Sequence, residues 1–273
     1  MSHNDNNQEK SAELTSTALI TGASSGIGKE FARIHAKMKG DVILVARRED
    51  SLIELKDELE AKEGITAHVM AYDLAHPGAA EQLYDRVKAA GLRVDILINN
   101  AGFGGAGRHI ERPLADELEM IDLNIKALVT LTHRFANDMA AAGHGRILNV
   151  GSTAGFMPGA LQAVYFATKA FVNSFSQAID QELRGKGVTC TVLTPGYVET
   201  EFAKRSNLED TPLAKNGATA RSVAQYGYDA MLAGDLVAVN ERKLSFAVNW
   251  VIPLLPRRMV LKMTQKMQTR KTV

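Results

Sequence analysis

The sequence predicts an α/β fold of the doubly wound kind, one predominantly parallel seven-stranded sheet with helices on both faces. Three observations predict it. Short runs rich in β-branched residues alternate with longer amphipathic stretches, the signature of strand–helix–strand units. Several of the short runs are apolar throughout, as strands are when helices cover both faces of a parallel sheet. A glycine-rich turn joins the first such run to the first helical stretch.

In chain order the strands are expected at Ala18–Thr21, Val42–Ala46, Thr66–Ala71, Val94–Asn99, Arg146–Val150, Val188–Leu193 and, more weakly marked, Leu236–Val239. The helices between them are expected at Ile27–Met38, Ser51–Lys62, Ala79–Ala90, Leu114–Ala141 and Val164–Gly185. Residues 1–15 are polar and aperiodic and read as a flexible arm. No Pro/Gly-rich linker, repeat or low-complexity tract divides the rest of the chain, so residues 16–273 are expected to form one domain.

At 273 residues, 45% hydrophobic and 23% charged, the composition is that of an ordinary globular protein. The one cysteine, Cys190, excludes an internal disulfide, and its apolar strand suits a small buried side chain. Met1–Lys10 lacks the apolar core of a signal peptide, which gives a cytoplasmic location as the default. The net charge of +1 conceals an asymmetry: from Arg242 onward there are eight Lys or Arg and no Asp or Glu. The apolar run Leu244–Pro256 is too short to span a membrane and holds Asn249 and Pro253. The histidines, His109 and His144 among them, show no metal-site spacing, so no metal is expected.

The turn reads Thr21-Gly22-Ala23-Ser24-Ser25-Gly26-Ile27-Gly28. Glycines serve where backbone bends sharply, approaches a pyrophosphate or lets helix meet strand, and the helix N-terminus offers N–H groups and a positive dipole end to phosphates. A tight turn without a ligand is the alternative. At the end of the second strand, such folds read the adenosine ribose with a carboxylate for a 2′-hydroxyl or an arginine for a 2′-phosphate. The chain has Val45-Ala46-Arg47-Arg48 there. Arg47, supported by Arg48, offers a planar charged fork that favours NADP(H) over NAD(H); solvent pairing with Glu49 or Asp50 is the other reading.

Tyr165 and Lys169 stand four apart on one helix face. A phenol of pKa ~10 is a poor base near neutrality. A neighbouring ammonium and an oxidised nicotinamide ring are both expected to favour the phenolate and lower that value, fitting the tyrosine for proton transfer.

The glycine spacing, Asn99-Asn100-Ala101-Gly102 after the fourth strand and Tyr165-Phe166-Ala167-Thr168-Lys169 together resemble the short-chain dehydrogenase/reductase family over about Ala18 to Thr200. The resemblance implies a single Rossmann-type domain and hydride transfer between a nicotinamide cofactor and a secondary alcohol, ketone or aldehyde. It implies roles for individual residues. Ser152, thirteen before Tyr165, holds the substrate oxygen, and Asn124, within Asp122-Leu123-Asn124-Ile125, belongs to a proton relay beside Lys169. Asn124, Ser152, Tyr165 and Lys169 are the expected catalytic set. Asp73 and Leu74 border the adenine, although a helix-capping role ahead of Pro77 suits Asp73 equally; Asn99, Asn100, Ala101 and Gly102 line the ribose and stabilise the central sheet, and Lys169 holds the nicotinamide ribose. Pro195, Gly196, Val198 and Thr200 approach the nicotinamide, although a purely structural turn explains Pro195 and Gly196 equally well. With Tyr165, Gly22, Ser24, Ser25, Gly26, Ile27, Gly28, Arg47 and Arg48, these complete the expected cofactor site.

In the family the segment after the sixth strand covers the substrate. Residues from about 200 to 235, with Phe202, Leu208, Leu213, Tyr226, Tyr228 and Met231, are expected to form that cover, while Phe103 and Phe156 project into the pocket. They suit an apolar or amphipathic carbonyl or alcohol, although simple packing accounts for them too. From about 242 to 273 the chain reads as a basic amphipathic segment, Met259, Met263 and Met267 interleaved with Arg257, Arg258, Lys262 and Lys266. Docking on its own domain or on a partner subunit is the favoured reading, and peripheral contact with an anionic membrane is the other. No nucleic-acid reading module is present. The family implies a homo-oligomer of two or four chains. Two rival readings remain at this point, a non-catalytic NADP(H)-binding regulator and a membrane-surface protein acting through its tail.

Overall fold

A computed structural model describes residues 16–202, 206, 211 and 217–269. The expected arm at 1–15, and Leu208 and Leu213 of the expected cover, lie outside the described residues. The strands of the main sheet are β1 (Thr17–Thr21), β2 (Asp41–Ala46), β3 (Ala67–Ala71), β4 (Ile96–Asn99), β5 (Gly145–Val150) and β6 (Val188–Leu193). A short pair, β7 (Val198–Glu199) and β8 (Ala218–Thr219), forms a separate two-stranded ribbon, and β9 (Val237–Ala238) returns to the main sheet. The main sheet has seven strands in the order β3-β2-β1-β4-β5-β6-β9, parallel throughout. Strand order reverses between β1 and β4, so a crevice opens there at the carboxyl ends of the strands.

Helices α1 (Gly26–Lys37) and α2 (Glu49–Glu63) cover one face of the sheet; α3 (Ala79–Ala89), α5 (Leu128–Ala142) and α6 (Ala163–Leu183) cover the other. Phe31, Leu52 and Leu55 fill the first layer with Ile20 and Leu44, while Leu83, Leu131 and Phe135 fill the second with Leu19 and Ile43. Alternate residues of β1 and β2 thus feed both layers, which is why these strands are apolar without interruption. Cys190 is fully buried and burial pushes its thiol pKa up, as expected of an inert packing residue.

The sequence treated Leu114–Ala141 as one helix. The structure divides it into α4 (Leu114–Ile121), a π turn at Asp122–Ala127 and α5. Such wide turns reposition side chains at functional sites, and this one carries Asn124.

Helix α7 (Ala220–Ala233) corrects a further expectation. Its face Val223, Ala224, Tyr228 and Met231 packs into the core layer of α1 and does not cover the crevice. Tyr228 donates its hydroxyl hydrogen to His35 Nδ1 at 2.7 Å, the tautomer being set by His35 Nε2 donating to the Ser16 carbonyl at 2.8 Å. Tyr226, one residue off that stripe, faces solvent. Among the described residues of the cover expected at 200–235, Thr200, Glu201 and Phe202 line the crevice.

The chain then runs through α8 (Arg242–Phe246), a π turn at Ala247–Val251, a 3-10 turn at Ile252–Leu254 and α9 (Arg257–Gln268). Helix α9 docks on its own domain by Val260, Thr264 and Gln268, which are buried at spacing four. Thr264 Oγ1 also donates to the Pro158 carbonyl at 3.3 Å. The methionine stripe 259, 263, 267, one residue out of phase, is left exposed. Among the described residues no helix is long and apolar enough to cross a membrane.

Candidate active site

The carboxyl-end loops of β1 to β6 surround a cavity of about 580 Å³. At the β1 end, Gly22 and Gly26 adopt left-handed conformations, φ +68° and +55°, which a residue with a Cβ rarely holds. Thr21 Oγ1 accepts from the Asn100 and Ala101 amides, each at 3.0 Å, tying the β1 and β4 loops together. No side chain caps the N-terminus of α1, and its first turn carries no acidic residue, so its N–H groups are open to an anion. Among the expected glycines, Gly28 does not line the cavity. A Cβ there would collide with the Gly22 carbonyl and the Asn100 side chain, so its glycine serves close packing beneath the turn.

Arg47 and Arg48 stand at the far mouth. Arg47 pairs with Asp73 at 3.6 Å, and Arg48 with Glu201 at 2.9 Å and with Ser24 Oγ at 3.3 Å. The partners expected from the sequence, Glu49 and Asp50, are replaced by carboxylates brought from other loops. Asp73, Leu74, Asn100, Ala101, Gly102, Pro195, Gly196, Val198 and Thr200 all line the cavity. Asn99, by contrast, is buried in the sheet, donating to Thr132 Oγ1 at 3.1 Å and Asn149 Oδ1 at 2.9 Å.

At the centre lie Ser152, Tyr165 and Lys169. Ser152 caps a 3-10 turn, its Oγ accepting from the Ala154 amide at 3.1 Å and donating to the Pro195 carbonyl at 3.5 Å, beside the Tyr165 phenol. Burial pushes Tyr165 up to about 12, with the Ser152 hydrogen bond opposing the shift. Lys169 Nζ donates to the Val150 carbonyl at 2.7 Å and sits 5.9 Å from the centre of the Tyr165 ring; burial pushes it down to about 8. The ammonium half of the expected lowering of the phenol is therefore corrected. Desolvation outweighs it, and with this chain's residues alone the phenol holds its proton at neutral pH.

Asn124 lies behind this group and does not line the cavity. Its Nδ2 donates to the Phe103 carbonyl at 2.9 Å and to Thr168 Oγ1 at 3.1 Å, and its Oδ1 accepts from the Phe103 amide at 3.1 Å. It fixes the Gly102–Phe103 loop against Lys169.

Phe103 and Phe156, expected in the pocket, do not line it. Their place is taken by Met157, Phe166, Phe202, Leu244 and Met267, with the ring of Phe202 5.5 Å from that of Tyr165. Three polar residues that the sequence did not single out for the site, Gln162, Thr264 and Gln268, also face it. The Oε1 atoms of Gln162 and Gln268 are buried without a partner among the described residues. No metal-ligand cluster occurs among the described residues.

Residues 16–211 match the family described as short chain dehydrogenase. The chain belongs to the short-chain dehydrogenase/reductase family. As a member it is an oxidoreductase acting on the CH–OH/carbonyl pair with a nicotinamide cofactor. It is 39% identical over 191 residues to sulfoacetaldehyde reductase 2 of Chromohalobacter salexigens, covering 69% of this chain and 75% of that protein. Over 257 residues it is 31% identical to the very-long-chain 3-oxoacyl-CoA reductase of Macaca fascicularis, 92% of this chain and 78% of that protein. A solved short-chain dehydrogenase from Sphingobium yanoikuyae in complex with NADPH superposes with a TM-score of 0.79 at 30% identity, over 85% of this chain and 90% of that one. The cradle fits such a cofactor on this chain's own features: two left-handed glycines, an uncapped helix N-terminus and a cation pair at the mouth.

Proposed function

We propose that this short-chain dehydrogenase/reductase interconverts an apolar or amphipathic ketone or aldehyde and its alcohol with NADP(H), Tyr165 acting as general acid and base. The reading rests on Ser152, Tyr165 and Lys169 converging on one cavity, with Lys169 Nζ 5.9 Å from the centre of the Tyr165 ring. A bound nicotinamide would supply or receive the hydride at the substrate carbon. Ser152 steadies the substrate oxygen as charge develops on it, and Tyr165 delivers its proton to that oxygen in reduction or withdraws one in oxidation. Lys169 holds the nicotinamide ribose and returns the proton to Tyr165, with Asn124 as the positioning residue of that relay. The α1 N-terminus with Ser24, Ser25, Gly26 and Ile27 holds the pyrophosphate.

Arg47 and Arg48 take the 2′-phosphate. Both are half exposed and paired with exposed or half-exposed carboxylates, contacts worth ~0–1 kcal/mol, which a phosphate carrying nearly two charges displaces. Support for NADP(H) also comes from the NADPH bound to the Sphingobium relative. The lining of Met157, Phe166, Phe202, Leu244 and Met267 suits an apolar body, and the orphaned amides of Gln162 and Gln268 suit a polar group on it. Exposed Leu114 and Leu118 of α4 and Phe171 of α6 support association into a homo-oligomer.

The test is oxidation of NADPH and NADH against a panel of ketones and aldehydes. Turnover is expected with NADPH, and Tyr165→Phe should lower kcat by about 10²–10⁴. Full activity in Tyr165→Phe would defeat the assignment.

A further inference from the structure

We propose that the outer face of α8, the turns after it and α9 is a docking surface for an anionic lipid bilayer, with the mouth of the active-site cavity turned toward the lipid. The inner face of α9 is already occupied, since Val260, Thr264 and Gln268 are buried against the domain. What remains outside is unusually apolar for a free surface. Phe246 is 63% exposed, Trp250 68% and Leu254 84%, with exposed Met259 and Met263 beside them on the same segment. Interleaved with these are the exposed cations Arg242, Lys243, Arg257, Arg258, Lys262 and Lys266, and no acidic residue occurs after Glu241. Short amphipathic helices with aromatic and apolar residues among lysines and arginines lie in the headgroup region of anionic membranes.

Charge decides between the two candidate occupants. A two-fold contact with a second copy would press this patch against itself, and six cations would meet six cations. An anionic bilayer complements them instead, each Lys or Arg near its surface raising partition about fivefold. The rest of the chain is acidic in balance, so it is repelled from the same surface and the basic face turns down. Docking is peripheral, because no described helix can cross a bilayer. The surface adjoins the catalytic cavity directly: Leu244, Thr264, Met267 and Gln268 of this segment line it, which gives an apolar substrate a route from lipid to Tyr165.

Trp250 is the only tryptophan of the chain, so its fluorescence reports on this surface alone. The full-length protein would be mixed with phosphatidylcholine vesicles, with and without phosphatidylglycerol, following Trp250 emission and co-sedimentation. The expected result is a blue shift and co-sedimentation with the anionic vesicles only, reversed by high salt. The triple variant Arg257→Gln, Arg258→Gln, Lys262→Gln should fold as wild type by circular dichroism and partition about a hundredfold more weakly. No shift and no co-sedimentation on anionic vesicles would overturn the proposal. So would a blue shift without lipid that grows with protein concentration together with a dimer mass in light scattering, which would assign the surface to a second copy. Neither readout depends on catalysis, so the proposed reaction stands or falls separately.

Discussion

Replacing Lys169 with methionine separates the stability cost of this active-site cation from its use. Lys169 is 6% exposed, and burial pushes its pKa from 10.5 to about 8. The unfolded chain therefore binds more protons than the folded one between about pH 8 and 10.5. Stability rises with pH wherever the unfolded state binds more protons, so folding gains as the lysine discharges. A gap of about 2.5 pKa units at ~1.36 kcal/mol each is about 3.4 kcal/mol in total, of which about 2.5 kcal/mol is released between pH 7 and pH 10. Methionine fills similar volume and does not titrate. The lost hydrogen bond to the Val150 carbonyl enters at every pH alike, and other titrating groups cancel in the comparison. Urea denaturation of the cofactor-free proteins, followed by far-ultraviolet circular dichroism from pH 7 to pH 10, should show wild type gaining about 2.5 kcal/mol on Lys169→Met. A difference that stays constant across that range would refute the argument, because it would mean that the ammonium is not held at a desolvation cost.

Two further outcomes concern the cofactor half of the site. Arg47→Ala should raise the Kd for NADPH about tenfold or more and leave that for NADH nearly unchanged, since loss of a charged hydrogen bond costs ~1.5–3 kcal/mol; equal weakening of both, read by isothermal titration, would remove the 2′-phosphate role. Gly28→Ala places a methyl against the Gly22 carbonyl and the Asn100 amide. Overpacking of that kind costs ~1–3 kcal/mol, so Tm should fall by about 2–4 °C for each kcal/mol, and an unchanged Tm would mean that the turn can relax.

The central sheet was legible because its first six strands are short runs rich in apolar and β-branched residues bounded by turn residues, such as Ala18–Thr21 before Gly22. The lining of the cavity was legible because each loop carries its candidate residues next to a strand end; every one of the expected cofactor set except Gly28 and Asn99 lines the cavity. The failures have physical causes. The π turn over Asp122–Ala127 is only six residues long, too short for its wider period to be told from that of the α-helices on either side. Tyr228 and Met231 are as suited to a lid as to a core, and only the partner across α7, His35 of α1, settles which they join. Glu201 reached Arg48 from far along the chain, a distance that spacing along a single motif does not encode.

The tail shows why polarity alone misled. Burial is usually inferred from apolarity, and by that rule the methionines of α9 should face inward and Thr264 and Gln268 outward. The structure inverts this, with Thr264 and Gln268 buried and Met259, Met263 and Met267 exposed. Both halves of the inversion have their cause in where α9 lies. Its inner face closes the cavity, so Thr264 and Gln268 lie where their polar atoms line it as well as pack against the domain. Its outer face, apolar and cationic together, is matched to a medium less polar than water and negatively charged at its edge. A helix amphipathic in the reverse sense is therefore expected wherever one face meets a substrate cavity and the other a lipid surface, and Gln268 beside Met267 marks the line between the two.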